Sequence, residues 1–460
     1  MSVKEDPVSA DTASSAAAGS VVVDPVRALQ HSLYRSAKAD PGRRFHALWD
    51  KVYRRDVLRR AWVMVYRNCG APGVDGTTLA EVKEYGVDRF LDEVADELKD
   101  RRWRPLPARR VLIPKPGSAD KRPLSIPSVR DRVVAAAMKI VLEPIFEADF
   151  LPCSFGFRPR RSAHDALQVL VDESWQGSRW VVETDIANCF SAIPHDTLIQ
   201  AVEERVSDRG ILKMLRVMLR AGVMADGVVR REVSGTPQGG PLSPLLCNVY
   251  LHRLDRQWDT RRHGVLVRYC DDLVVMCRSR QQAETALERL TALLGDLGLE
   301  PKAAKTRIVH LVEGGQGLDF LGFHNRLVRG RTARSAHLVF LARWPARQAI
   351  THARQRIRAI TARSRLLVPV GRIVEELNAF LRGWAGYFRF GNSALMLGQI
   401  RNYALTRLAL WLSKRGKRRR AWGWGMTQVL GSPNHLGLIS LDGIVVPPRP
   451  FRAWNPEHRR

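Results

Sequence analysis

Apolar residues first take up helical spacing over residues 28–67, interleaved with basic ones, and the Gly/Pro loop Cys69-Gly-Ala-Pro-Gly-Val-Asp-Gly-Thr closes the run. Residues 78–99 predict one or two amphipathic helices rich in acidic side chains. Residues 109–116 bring Val111, Leu112 and Ile113 together before a Pro-Lys-Pro-Gly turn, so they predict one arm of a hairpin, with 122–126 as the other. Helical periodicity returns over 129–150. A mixed order follows: a helix at Ala163–Trp175, a strand at Trp180–Asp185, helices between 195 and 221, and two apolar strands, 265–269 and 273–277, joined by a charged tip. A helix over 281–297 and a strand near 306–311 complete the series. Strand, helices, hairpin, helix, strand predicts an α/β (α+β) unit built on a split βαβ.

The pattern changes near residue 330. Residues 343–374 hold eight arginines and no acidic residue, with apolar positions at helical spacing. A second basic block, Lys414-Arg415-Gly-Lys417-Arg418-Arg419-Arg420, precedes a tail rich in Gly, Trp and Pro. These shifts divide the chain into a disordered leader (1–27), an N-terminal helical extension (28–105), a mixed α/β domain (106–330), a helical domain (340–412) and a basic tail (413–460). The boundary between the mixed α/β domain and the helical domain is placed at about 329–335.

Charge narrows the field. Over 460 residues, 74 lysines and arginines face 46 acidic residues, a formal net charge of +28. A coding bias explains a preference for arginine over lysine, but not an excess of this size. A long polyanion, nucleic acid, is the partner it implies. No run of about 18 apolar residues predicts a spanning helix, so no membrane partner is expected. The first 26 residues carry Glu5, Asp6, Asp11 and Asp24 amid Ala and Ser, without the order of a signal peptide. The six cysteines are far apart and form no CxxC pair, which argues against a disulfide or zinc framework and points to a reducing compartment, the cytoplasm; with nucleic acid as partner, the expected place there is the nucleoid.

The chemistry concentrates at Tyr269-Cys270-Asp271-Asp272, between two strands apolar on both faces. An isolated Asp-Asp is most simply a solvated turn. Asp185, at the end of another apolar strand, changes that reading, because a split βαβ sets the two strands side by side. Three carboxylates then converge, and unneutralised they would repel. Hard oxygen ligands of this kind suit magnesium, and two such ions about 4 Å apart serve in-line displacement at phosphorus. Ser234-Gly-Thr-Pro-Gln-Gly-Gly-Pro is a tight turn opening a helix, able to bring Gln238 and backbone amides close to a base. Lys115 and Arg122 flank a hairpin able to close over a triphosphate; a solvated basic hairpin is the plainer reading. Arg354, Arg358 and Arg365 recur at spacings of four and seven, and share one face if a single helix extends that far.

Tyr-Cys-Asp-Asp at 269–272 resembles the YxDD box of reverse transcriptases, and Asp185-Ile-Ala-Asn-Cys-Phe190 resembles their first palm motif. Arg122-Pro-Leu-Ser-Ile-Pro, Ser154-Phe-Gly-Phe-Arg-Pro, Thr236-Pro-Gln-Gly-Gly, Lys305-Thr and Leu318-Asp-Phe-Leu-Gly-Phe follow that family's order across about 105–326. Gly70-Ala-Pro-Gly-Val-Asp-Gly and Ile373-Val-Glu-Glu-Leu-Asn-Ala-Phe-Leu-Arg-Gly-Trp resemble the group II intron branch, the latter its maturase or thumb domain. The resemblance implies a right-hand polymerase, with fingers, palm and helical thumb, that copies RNA into DNA. Asp185, Asp271, Asp272 and the carbonyl of Ile186 match the ligands of two magnesium ions. Phe190 matches the gate against a ribose 2′-hydroxyl, Gln238 and Gly239 the nucleotide-pocket turn, Arg122 and Lys115 the phosphate-facing fingers, and Lys305 a late palm lysine assigned as general acid. Cys270 stands where the branch commonly has alanine.

Expected partners are group II intron RNA, an RNA template, a DNA primer or target, and deoxynucleoside triphosphates. Arg354, Arg358, Arg365, Lys414, Arg415, Lys417 and Arg418 are the expected RNA contacts. No DNA endonuclease pattern is found before Arg460, so mobility would draw on an existing primer, such as a nascent strand at a replication fork. Three alternatives stand beside this reading: a stand-alone reverse transcriptase of a defence or CRISPR-linked system, a maturase acting mainly as an RNA-binding protein, and an RNA-dependent RNA polymerase. Intact Asp185, Asp271 and Asp272 oppose the second, and the bulk of Phe190 opposes the third.

Overall fold

A computed structural model describes residues 24–114, 121–225, 228–230, 234–235, 239–330, 332–416 and 436–448. Helix α1 (Pro25–Ala39) starts inside the segment read as a leader. The Asp24 carboxylate accepts the Val26 and Arg27 amides, and Pro25 occupies the first turn, a cap signal that the Ala/Ser composition around it obscures. Helices α2 (Trp49–Val52), α3 (Arg55–Arg67), α4 (Leu79–Tyr85) and α5 (Val87–Lys99) follow. A reciprocal Thr78–Glu81 capping box starts α4, and Gly86 separates it from α5.

Strands β1 (Ala108–Pro114) and β2 (Lys121–Ile126) form the expected hairpin, with Ile113 opposite Arg122. Helix α6 (Val129–Glu147) is buried along almost its whole length. Next come α7 (Ala163–Trp175), β3 (Trp180–Asp185), α8 (Cys189–Ala192), α9 (His195–Glu203), α10 (Arg209–Leu219), β4 (Val223–Ala225) and β5 (Val228–Arg230). They lead to α11 (Ser243–Gln257), α12 (Thr260–His263), β6 (Val265–Tyr269), β7 (Asp272–Cys277), α13 (Arg280–Asp296) and β8 (Arg307–His310). Strands β9 (Leu318–Phe320), β10 (Phe323–Arg329) and β11 (Val339–Pro345) precede α14 (Arg347–Ile360), α15 (Val370–Phe388) and α16 (Ala394–Arg415).

The central sheet has the order β6-β7-β3-β8. Successive strand residues point to opposite faces, and here each face meets its own core. Val182, Leu266, Leu273 and Val275 join a core with α1, α3, α6 and α9–α11. Val181, Val267, Val274 and Met276 join another with α7, β9–β11 and α14–α16. Burial on both faces is why these strands read as unbroken apolar runs.

The arginine-rich composition begins inside the second core. Residues 330–338 link β10 to β11, whose pairing runs from Phe323↔Pro345 to Arg329↔Val339. The expected boundary near 329–335 therefore lies in a hairpin turn, and the change in charge coincides with no break in packing. Arg343, one of the eight arginines, is buried and donates to the Phe390 carbonyl at 2.9 Å. No helix among the described residues is long and apolar enough to cross a membrane.

Candidate active site

Antiparallel pairing of β3 with β7 ends on Asp185↔Asp272, and β6 pairs with β7 up to Tyr269↔Asp272. Cys270 and Asp271 thus form a two-residue turn at the sheet edge. Cys270 sits in the left-handed region with φ 59°. The Ile186 amide donates to the Asp271 carbonyl at 3.0 Å, which ties the turn to the chain leaving β3. On the far side, the Lys302 amide donates to the Asp185 carbonyl at 2.7 Å, and the Ala187 amide donates to Glu300 at 2.8 Å.

A polar network inside the protein holds the turn from behind. Arg268, fully buried on β6, donates to both oxygens of buried Asp255, at 2.8 and 2.5 Å. It also donates to Asn248 Oδ1 at 2.9 Å, Ser154 Oγ at 2.8 Å and the Cys270 carbonyl at 3.3 Å. Asp255 outweighs the burial and keeps this guanidinium charged. A Cβ on Gly156 would lie 2.6 Å from the Cys270 amide, so only glycine lets the Ser154-Phe-Gly segment seat against the turn. Arg268, Asp255 and Asn248 were not singled out from the sequence. The available signal was a lone arginine inside an apolar strand, with Asn248 and Asp255 seven apart on α11.

The electrostatics are those of crowded carboxylates. Burial, the hydrogen bond with Asp185 and the charges of Asp185 and Asp271 push the Asp272 carboxyl far above its ordinary range. For Asp185, burial is outweighed by the bonds from Asp272 and Lys305, which hold it below the ordinary value. Lys305 Nζ contacts Asp185 Oδ2, and this pairing, against burial, raises the ammonium's pKa. Burial and mutual repulsion thus work against a second negative charge beside the Asp185–Lys305 pair. Among the described residues, no three His, Cys, Asp or Glu side chains stand close enough to hold a metal ion as arranged. The expected convergence of three carboxylates is realised for Asp185 and Asp272, with Asp271 in the adjoining turn. An all-oxygen set of crowded, partly buried carboxylates, one of them held by a lysine, has the donor chemistry of a hard divalent cation site.

Phe190 lies on α8, half-buried against the first core. Beneath it the thiols of Cys189, Cys247 and Cys270 touch in series, at 3.6 and 3.8 Å. Gly235, at φ 94°, donates its amide to Ile193 at 2.8 Å and lies against the backbone of Phe190 and Ser191. Gly239, at φ 118°, sits so close to β2 that a Cβ would be 2.7 Å from the Ser125 carbonyl. The turn before α11 thereby meets both the β1–β2 hairpin and the Phe190 segment. Lys115, Gln238 and the side chain of Arg122 lie outside the described residues, as do Lys417 and Arg418.

The expected RNA-binding stripe divides. Arg354 and Arg358 are exposed on α14, with Arg354 over the Tyr403 ring at 5.8 Å. Arg365 is not on that helix. It follows in the 3-10 turn Arg363–Arg365 and pairs bidentately with Glu376, at 2.9 and 2.7 Å. The helix ends at Ile360 because Ala362 adopts an extended conformation, so the seven-residue spacing does not carry Arg365 onto the same face. Lys414 is exposed in the last turn of α16, while Arg415 donates to the carbonyls of Leu366 and Val368.

Residues 113–325 match the reverse transcriptase (RNA-dependent DNA polymerase) family, which gives the class of enzyme to which the sheet and its carboxylates belong. Residues 350–430 match the maturase-specific domain of group II introns. Protein YkfC of Escherichia coli (strain K12) is 34% identical over 345 residues, covering 66% of this chain and 88% of YkfC. The group II intron-encoded protein LtrA of Lactococcus lactis subsp. cremoris is 36% identical over 234 residues, which are 50% of this chain and 38% of LtrA. A 91 kDa protein in the cob intron of Schizosaccharomyces pombe is 41% identical over 165 residues, 36% of this chain and 20% of that protein. The chain belongs to the group II intron-encoded reverse transcriptase and maturase family.

Proposed function

We propose that this chain extends a primer 3′-hydroxyl on an RNA template with deoxynucleoside triphosphates, and binds the group II intron RNA to assist splicing and mobility. In this reading β1–β2 with the N-terminal helices forms the fingers, the central sheet with α9–α11 and α13 the palm, and α14–α16 the thumb. The observation that carries it is the Asp185↔Asp272 register at the sheet edge, with Asp271 beside it and Lys305 on Asp185.

Asp185, Asp271, Asp272 and the Ile186 carbonyl would hold two magnesium ions. The chemistry such a pair supplies when bound is charge neutralisation at the attacking 3′-hydroxyl and the leaving pyrophosphate. Lys305, which the structure holds on Asp185, would be the proton donor to the leaving oxygen once that carboxylate is a metal ligand. Phe190 would serve as the gate under the incoming sugar, which its half-buried place on α8 supports; Gly239, close against β2, would let the turn before α11 approach the base. The network around Arg268 fixes the Asp271 turn, which keeps the carboxylates placed without substrate.

The double change Asp271→Ala and Asp272→Ala tests the assignment. Primer extension on RNA should fall by about 10³ or more, as when a group acting only in the transition state is removed. RNA affinity should stay near wild type, because the basic side chains that carry it are elsewhere. Extension at near wild-type rate would show that the site lies elsewhere.

A further inference from the structure

The loop between α14 and α15 presents one leucine to solvent on a backbone fixed from several sides. Leu367 is 94% exposed; the next most exposed large apolar side chain among the described residues, Leu395, is 65% exposed. Its neighbours Leu366 and Val368 are tucked against the second core. Arg415 donates to the carbonyls of both neighbours, reaching Leu366 at 3.1 Å. The Val368 amide donates to Arg365 at 3.1 Å, and Arg407 donates to the Thr361 carbonyl at 3.0 Å. Arg365 Nη1 donates to the Ile360 carbonyl at 3.2 Å. Leu367 is thus the tip of a braced turn, and ordering it in a complex costs little conformational entropy.

Its surroundings are basic. Glu375 and Glu376 answer Arg372 and Arg365. Arg363 and Lys414, exposed on the neighbouring turn and helix end, meet no acidic partner among the described residues. One apolar side chain is too small to anchor a protein interface, which takes a contiguous apolar patch. A lone apolar tip on a turn that also carries unpaired cations, here Arg363 on the same turn and Lys414 beside the bracing Arg415, is instead the arrangement that enters a gap between bases while the cations hold phosphates. Opening a stacked step costs about as much free energy as burying a leucine returns. The tip therefore gains most where the stack is already interrupted, at a bulged nucleotide. Sequence-directed proteins commonly find RNA at such unpaired positions.

We propose that Leu367 is a wedge that inserts beside a bulged nucleotide in a structured RNA. The proposal rests on the RNA-binding reading given above and adds the feature recognised. The test uses the whole chain and two RNA stems, one fully paired and one carrying a single bulged 2-aminopurine, with binding followed by anisotropy and by 2-aminopurine fluorescence. The wild type should prefer the bulged stem. Leu367→Ser, with an unchanged melting curve, should bind the bulged stem about 10- to 100-fold more weakly, the range expected for one buried leucine. Its affinity for the paired stem and its salt dependence should not change. Arg363→Gln should weaken both stems and flatten the salt dependence. Equal affinity of Leu367→Ser and wild type for the bulged stem overturns the proposal, as does an equal loss on both stems. A change in sedimentation without a change in RNA affinity also overturns it, by making the tip a protein contact. If the wild type binds neither stem, the RNA-binding reading itself fails, and the wedge with it.

Discussion

Arg268 shows how a residue remote from substrate governs the site. Fully buried, it binds Asp255, Asn248, Ser154 and the Cys270 carbonyl at once. Arg268→Met would leave Asp255 as an uncompensated buried charge, a cost of about 3–5 kcal/mol. The denaturation midpoint of that variant should drop accordingly, and removing the stranded carboxylate as well with the second change Asp255→Leu should recover most of the loss. No recovery would mean that Arg268 acts mainly through the other partners. Phe190 belongs to the same scale. It is half-buried against the core, and its backbone lies against Gly235. Phe190→Ala should raise ribonucleotide relative to deoxyribonucleotide incorporation by at least about tenfold, since the clash with a 2′-hydroxyl is removed. Single-nucleotide extension measures the ratio, and a constant ratio removes Phe190 from the pocket.

Helix α14 decides which arginines act together. Arg354 and Arg358 lie one turn apart on its exposed side, where like charges destabilise a helix unless a polyanion answers them. Arg365 has its answer already in Glu376. Changing Arg354 and Arg358 to Gln should weaken binding to structured RNA and reduce the slope of log affinity against log salt by about two contacts' worth. Arg365→Gln should leave that slope unchanged and release Glu376 from its partner. Titrations at several salt concentrations separate the two; a smaller slope for Arg365→Gln would reverse the assignment. The spacing of four was legible in the sequence because helical geometry is local. The helix end at Ile360 was not, because the extended Ala362 lies in a loop whose carbonyls at Thr361 and Leu366 are bonded by Arg407 and Arg415 of the distant α16.

Across the whole molecule, the second core joins the central sheet to the helices after residue 346. Phe323 of β10 meets Phe388 of α15 at 4.9 Å between rings, and the Tyr387 hydroxyl donates to the Leu321 carbonyl at 2.8 Å. Residues 436–448 return to this layer, where the Ile439 amide and the Gly437 carbonyl both bond Asn378. A fragment ending at residue 345 would expose the apolar face that α15 covers. It should bind a hydrophobic dye and melt without a sharp transition, whereas the whole chain should unfold in a transition shared by sheet and helices. A fragment that melts as sharply as the whole chain would show the two halves to be independent.

The sequence by itself determined the identity of most elements, the hairpin tip that carries Asp271 and Asp272, the role expected of Asp185, and the polyanionic partner. These follow from periodicity, strand length and net charge, which are local or additive properties. Tertiary structure alone decided that Asp185 and Asp272 face each other in register, that Lys305 answers the pair, and that Arg268 braces the turn from inside the core. It also decided that Arg343 is a buried brace and Arg365 a partner of Glu376, although both count equally in a tally of basic residues. Each of these outcomes depends on which distant segment arrives beside the residue, and solvation and pairing, not residue type, set what its charge does.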